Sequence, residues 1–346
     1  MKREPFRVLI GDDSPTVRAL FRRLLSSYSW ITVVGEAADA SEVVGKVLEL
    51  RPDVVIMDLQ SPHTGGLAAM QRIQAQVPTP IIVVTSRVER GEVRVPFEAV
   101  DRGAIAVLAK PEIPREWEEL VSSIADTVGG LRSPVRARKS TPASPGLGKV
   151  PRRRLKYLAI GASTGGPSAV RDLLAALGSD HNLGIVVIQH IGRGFERSFA
   201  EWLSRELHTD VEMAVEGKLL AAGEVLLAPS NTRMSLSSEG IIRLENSGPK
   251  DAPYPLVIDH FLLSLARLIP SATAGVLLSG MGHDGARGLT ALHRSGGTTI
   301  VQDQPSSVVY GMPGAAIEAG AVEFILPPPD IGRLLRRMTK GRRQWA

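Results

Sequence analysis

The sequence predicts an α/β protein of two domains joined by a basic linker, each domain built on a parallel or mostly parallel, doubly wound sheet. Three observations lead there. A chain of 346 residues divides naturally into two domains at roughly 100–200 residues each. Short apolar runs alternate with amphipathic stretches, and the 34 glycines and 24 prolines punctuate these runs instead of filling low-complexity tracts. One segment, residues 131–153 (LRSPVRARKSTPASPGLGKVPRR), lacks periodicity and is dominated by proline, serine, glycine and basic residues, the composition of a linker. The expected organisation is therefore domain 1–130, linker 131–153 and domain 154–346.

In the first domain, Phe6–Ile10, Ile31–Gly35, Asp53–Met57, Ile81–Val84 and Ala104–Leu108 read as strands with amphipathic helices between them. Ser14-Pro15 reads as an N-cap followed by proline at the first helical position. Strand ends in such a sheet carry Asp12-Asp13, Asp58, Thr85 and Lys110-Pro111. The carboxyl ends of parallel strands converge at one edge, where ligands bind. Clustered carboxylates repel one another, so a hard divalent cation such as Mg2+ suits Asp12, Asp13 and Asp58. Thr85 and Lys110 are placed to hold the oxygens of a phosphoryl group on Asp58.

This constellation resembles the response-regulator receiver family along residues 6–128. The resemblance implies a flavodoxin-like, five-stranded parallel fold, Asp58 as phospho-acceptor, and Asp12 and Asp13 as acidic-pocket residues. It further implies the backbone carbonyl of Gln60 as a metal ligand, Thr85 and Lys110 as the switch pair, and a cis Lys110–Pro111 peptide. The chain departs from the family after the acceptor, where DLQSPHTGG carries Ser61 in place of methionine and Gly65 in place of an acidic or amide residue. Pro96 stands where it would interrupt the fourth helix.

The second domain repeats the α/β rhythm. Tyr157–Ile160, Ile185–Gln189, Val225–Ala228, Ala274–Leu278, Thr298–Val301 and Val322–Leu326 read as strands, and Pro167–Leu177, Phe195–Arg205, Leu256–Leu268 and Gly285–Arg294 as helices. Arg233–Leu236 and Ile241–Leu244 flank SSEG and read as a β-hairpin. The first strand runs into Gly161-Ala162-Ser163-Thr164-Gly165-Gly166-Pro167. That run fits G-x-S-x-G, a serine on a tight strand-to-helix turn; a phosphate-binding glycine turn looks similar but lacks its Lys-Ser/Thr here. A serine nucleophile needs a base, and the base an orienter. His190 ends the next strand, and Asp284 follows Ala274–Leu278 within SGMGHDG. The Met281 N–H, in a glycine-flanked turn, is a donor for an oxyanion. Alternatives stay open residue by residue: His283 is a rival base, and Asp284 also suits a cap on the helix beginning at Gly285.

Together, GASTGGP, VIQH, LLSGMGHDGA and VQDQPSSVVYGMPGAA behind a receiver and linker resemble the CheB family of chemotaxis protein-glutamate methylesterases over essentially the whole chain. The resemblance implies hydrolysis of glutamate γ-methyl esters on methyl-accepting chemoreceptors, often with deamidation of glutamines, under control of a phosphodonor histidine kinase. It implies Ser163 as nucleophile, His190 as base and then acid, Asp284 as orienter, and Thr164 and Met281 around the oxyanion site, with no cofactor in the catalytic domain. Asn231, Thr232 and Arg233, and the run Tyr254–Asp259, depart from the family pattern and are expected on the substrate face. The competing functional readings are a phosphorylation-dependent binding module and a hydrolase acting in a chemosensory-like pathway without motility.

Bulk properties bound these readings. With no cysteine, disulfides, thiolate metal sites and a cysteine nucleophile are excluded. The start MKREPFRVLIGDD lacks the apolar core of a signal peptide, and no apolar run reaches the roughly 20 residues of a bilayer span. A soluble cytoplasmic protein that is not membrane-inserted is expected. The net charge of +5 is concentrated in the linker and the C-terminal tail, with no nucleic-acid-binding motif beside it.

Overall fold

The computed structural model describes residues 4–59, 65–86, 95–111, 113–114, 116–132, 153–192, 194–230, 232–246 and 256–339. Contacts divide the chain into two compact units, Met1–Ser133 and Pro134–Ala346.

In the first unit, β1 (Phe6–Gly11), β2 (Ile31–Ala37), β3 (Val54–Met57), β4 (Ile81–Thr85) and β5 (Ala104–Ala109) alternate with α1 (Pro15–Leu25), α2 (Ala40–Leu50), α3 (Gly66–Gln76), α4 (Val95–Asp101) and α5 (Glu116–Arg132). The sheet runs β2-β1-β3-β4-β5 with every pair parallel. Strands covered on both faces become continuously apolar, and β3 and β4 are buried throughout. Val8, Ile10, Ile56 and Ile82 pack with Phe21, Leu25, Val121 and Ile124 on one side of the sheet. Ser14 caps α1, its side chain accepting from the Val17 N–H at 3.4 Å.

Two expectations change here. Pro96 falls in the first turn of α4, where the missing N–H is tolerated, so it does not interrupt the helix. The Lys110–Pro111 peptide is trans, the intrinsically favoured isomer. Gln60 and Ser61 lie outside the described residues.

In the second unit the order is β6 (Tyr157–Ala162), α6 (Gly166–Leu177), β7 (Gly184–Gln189), α7 (Glu196–Leu207), β8 (Val211–Met213), β9 (Val225–Leu227), β10 (Thr232–Leu236), β11 (Ile242–Asn246), α8 (Val257–Leu268), β12 (Thr273–Leu277), α9 (Ala286–Arg294), β13 (Thr298–Gln302), α10 (Gly311–Glu318), β14 (Phe324–Leu326) and α11 (Pro328–Thr339). The seven strands β14-β13-β12-β6-β7-β9-β8 form one sheet, parallel throughout. The antiparallel hairpin β10–β11 is a separate two-stranded sheet packed on α8. Strand order reverses at β6: the chain builds outward through β7, then returns to lay β12 on the other side of β6. Such a switch point opens a crevice at the carboxyl ends of the strands.

Ile258, Phe261, Leu262 and Leu265 of α8 pack with Leu289 and Leu292 of α9 against Ala159, Leu277 and Val301 of the sheet. Strand β8 and helices α10 and α11 were not anticipated. Three residues make β8 too short for a period-2 signal. Gly311, Pro313 and Gly314 lower the helix propensity of α10, and α11 opens on Pro328-Pro329, which reads as a breaker but suits a first turn.

Candidate active site

Strands β6 and β7 end level with each other, because Ala162 pairs with Gln189 and the His190 N–H donates to the Ala162 carbonyl at 2.9 Å. Ser163 and His190 are the next residues on each strand, so the sheet register alone sets them side by side. The serine backbone is held on both sides. Its N–H donates to the Ser279 carbonyl at 3.0 Å, and its carbonyl accepts from the Gly166 N–H and from Gln189 Nε2, each at 2.8 Å. Gly165 sits at φ +76°, where a Cβ would also lie 2.6 Å from Val308 Cβ, so only glycine closes this turn. A Cβ on Gly280 would approach Ser163 Cβ to 2.9 Å and Met312 Sδ to 2.3 Å. The loop after β12 therefore presses directly on the serine.

That loop delivers Asp284. His190 Nε2 lies 2.8 Å from Asp284 Oδ2, and both side chains are largely buried. The carboxylate also accepts from the Ile258 N–H (Oδ2, 3.1 Å) and the Asp259 N–H (Oδ1, 2.9 Å). These donors open α8, so the helix N-terminus fixes the carboxylate in place. The suggested cap on its own following helix is not what Asp284 makes: Gly285 precedes α9 without a side-chain cap bond. Asp259 supplies the complement, its Oδ1 accepting from the Gly288 N–H of α9 at 2.6 Å. Two helices thus carry each other's carboxylates. Burial pushes the Asp259 carboxyl above its ordinary value, and the neighbouring Asp284 charge adds to this, against the opposing Gly288 hydrogen bond. His283, the rival base, is exposed.

Thr164 directly follows Ser163, and Met281 lies in the loop that carries Asp284. The Thr164 carbonyl accepts from Ser279 Oγ at 2.7 Å, while Ser279 Oγ accepts from the Val309 N–H at 3.1 Å. Met281 is half-buried and follows Gly280, whose N–H donates to Val309 (3.0 Å) and whose carbonyl accepts from Gly311 and Met312 (2.9 Å each). The Ser279 N–H donates to Gln302 Oε1 at 2.7 Å. Gln189, Ser279, Gln302 and Asp259 are buried polar residues that frame the site and were not singled out from the sequence for this role. Their signal is a polar residue closing an apolar run, as in GIVVIQ and TTIVQ. The departure run is corrected in part: Val257, Ile258 and Asp259 are buried, so they do not form a substrate face. Leu256 and Arg233 are exposed, and Asn231, Tyr254 and Pro255 lie outside the described residues.

The first unit holds a second polar cluster at its own strand ends. Lys110 Nζ lies 2.7 Å from Asp12 Oδ2 and 2.5 Å from Asp58 Oδ2. Ligand oxygens of Asp12, Asp13 and Asp58 all fall within 4.8 Å of one another. Asp12 also accepts from the Ser14 N–H at 3.0 Å. Burial raises the Asp12 carboxyl above its ordinary value despite Lys110. Burial opposes the Lys110 charge too, yet the hydrogen bonds it donates to Asp12 and Asp58, together with their charges, outweigh this and hold the ammonium above its ordinary value. Thr85 ends β4, is buried, and accepts the Lys110 N–H on its carbonyl at 2.8 Å. Gly65 precedes α3 and makes no side-chain cap bond.

Comparison with known proteins finds relatives for both units. Residues 158–335 match the family model of the CheB methylesterase, and residues 8–122 that of the response regulator receiver domain. A protein-glutamate methylesterase/protein-glutamine glutaminase of Geobacter metallireducens is 40% identical over 336 residues, 94% of this chain and 96% of the relative. One of Syntrophus aciditrophicus is 37% identical over 96% of this chain and 98% of its own length. The crystal structure of the Thermotoga maritima CheB methylesterase catalytic domain superimposes with a TM-score of 0.51 at 31% identity, covering 54% of this chain and 99% of that one. The chain accordingly belongs to the CheB methylesterase family, carrying a response regulator receiver domain ahead of its methylesterase domain.

Proposed function

We propose that the second unit hydrolyses glutamate γ-methyl esters, and deamidates glutamines, on the cytoplasmic domains of methyl-accepting chemoreceptors, using Ser163, His190 and Asp284. The observation that carries this reading is the buried His190–Asp284 contact at 2.8 Å beside the Ser163 turn. Asp284 stabilises the imidazolium that forms when His190 takes the Ser163 proton. Because Nε2 faces the carboxylate, Nδ1 is the nitrogen left to act as base. Ser163 Oγ attacks the ester carbonyl, and the oxyanion is met by the N–H groups of Thr164 and Met281. His190 returns the proton to departing methanol. The same histidine then activates the water that releases the glutamate carboxylate and frees the serine. No helix among the described residues is long and apolar enough to cross a membrane.

The first unit regulates this activity through phosphorylation of Asp58 by a chemotaxis-type histidine kinase. The three carboxylates, hard oxygen donors gathered within 4.8 Å, fit Mg2+, and Asp12, Asp13 and Asp58 would hold it; Gln60, the further ligand expected from the sequence, lies outside the described residues. The ion would offset phosphoryl charge during transfer. Lys110, already on Asp58, then pairs with the new phosphoryl oxygens, and Thr85 binds another. Asp58→Asn removes the acceptor oxygen and is expected to abolish labelling by acetyl phosphate in Mg2+, read by mass spectrometry of the intact protein. A variant still labelled would move the acceptor elsewhere.

A fluorophosphonate probe tests the nucleophile cheaply. It should modify Ser163 alone, located by peptide mapping; a protein left unmodified at this position would support a binding module instead. Asp284→Asn keeps a group able to accept one α8 N–H but loses the charge facing His190. A fall in turnover of about 10²–10⁴-fold is expected, with stability reduced by about 1 kcal/mol, read by ester hydrolysis and urea unfolding.

A further inference from the structure

Gln189 closes β7 in an otherwise apolar strand, and its side chain is buried beneath the first turn of α6. Its Nε2 donates both to the Ser163 carbonyl at 2.8 Å and to the His190 carbonyl at 3.0 Å. Its Oε1 is buried with no hydrogen-bond partner among the described residues. An orphaned acceptor is destabilising, so the side chain is not there for stability alone. Room for it is built in: a Cβ on Gly166 would lie 2.2 Å from that Oε1. We infer that Gln189 is a positioning residue that sets the nucleophile, the base and the oxyanion donor in one register. This rests on the proposed roles of Ser163 and His190.

The physical link is the trans peptide. In it the carbonyl and the following N–H point in opposite directions. Gln189 Nε2 and the Gly166 N–H both hold the Ser163 carbonyl. The Thr164 N–H on the same peptide is thereby aimed away from Gln189. The neighbouring peptide is pinned from its own side, with the Thr164 carbonyl on Ser279 Oγ. One amide group thus orients the oxyanion donor through Ser163 and steadies the backbone of His190. Gln189 touches no reacting atom.

The test is the rate at which Ser163 displaces fluoride from a fluorophosphonate, its proton passing to His190, in the full-length protein. Gln189→Met keeps length and volume but removes the donor. The maximal labelling rate should fall about 30- to 100-fold, near the loss of a single oxyanion donor. The probe's half-saturating concentration should stay within about threefold of wild type, and the thermal midpoint should change little. Gln189→Glu supplies the second readout. Its neutral carboxyl donates to the Ser163 carbonyl, and its ionised form repels it. Labelling relative to wild type at the same pH should fall as pH rises through the carboxyl's titration, a trend a purely structural role would not produce. If Gln189→Met does not fold, the Glu variant decides alone. A Met variant that labels at the wild-type rate, or a Glu variant whose ratio to wild type is flat with pH, overturns the inference. Failure of the wild type to label at Ser163 is a different result, and defeats the proposed mechanism itself.

Discussion

Ser163→Ala is expected to remove ester turnover by at least about 10⁴-fold while the second unit stays folded. The loss follows from the nucleophile's place in an acyl-transfer cycle, where removing one member of a cooperating set forfeits most of the gain of the whole set. The intact fold follows from what holds the turn. Its two ties run through the serine's backbone, from N–H to Ser279 and from carbonyl to Gln189 and Gly166, and alanine keeps both. Gly165 and Gly280, whose missing side chains let the turn close, are untouched. Circular dichroism and a urea midpoint near wild type, beside absent turnover, form the expected pair of readouts. Turnover at the wild-type rate in a folded protein would take the serine out of the mechanism.

His190→Ala should be as severe, and His283→Ala should cost less than about threefold. The contrast is stronger evidence than either variant alone, since both histidines lie near Asp284, His283 as its immediate neighbour in sequence. Only His190 faces the carboxylate, at 2.8 Å and largely buried, whereas His283 is exposed. Losing the imidazole leaves Asp284 its two helix N–H donors, so stability should fall by only about 1 kcal/mol. Steady-state turnover of the two variants checks the ranking. The reverse order would assign the base to His283.

Much of the fold is written in the strand ends. An apolar run closed by a small polar residue marks Asp12, Asp58, Thr85, Ser163 and His190 from spacing alone, because parallel strands buried on both faces leave little else polar to choose from. The structure gathers Asp12, Asp58 and Lys110 into one cluster and His190 and Asp284 into another. What stayed hidden depends on contacts distant in sequence. Asp259 is expected on the substrate face, yet it is buried against the N-terminus of α9 while Asp284 serves α8. Neither capping role is local, so neither shows in a window of neighbours. Gln189 was legible as a strand residue, whereas Gln302 lies one residue past the expected strand Thr298–Val301; both amides act across to adjacent segments. The three-residue edge strand β8 and the proline-led α11 were missed because local propensity was overruled by packing on the sheet edge and on α6.

The most direct measurement is methanol release from methylated chemoreceptor preparations by the full-length protein and by Ser163→Ala, each with and without acetyl phosphate and Mg2+. We expect release by the wild type that accelerates when Asp58 carries phosphate, and none above background from Ser163→Ala in either condition. Undiminished release by Ser163→Ala, or no release from wild-type protein shown to be phosphorylated, would contradict the assignment of this chain as a receiver-controlled serine esterase.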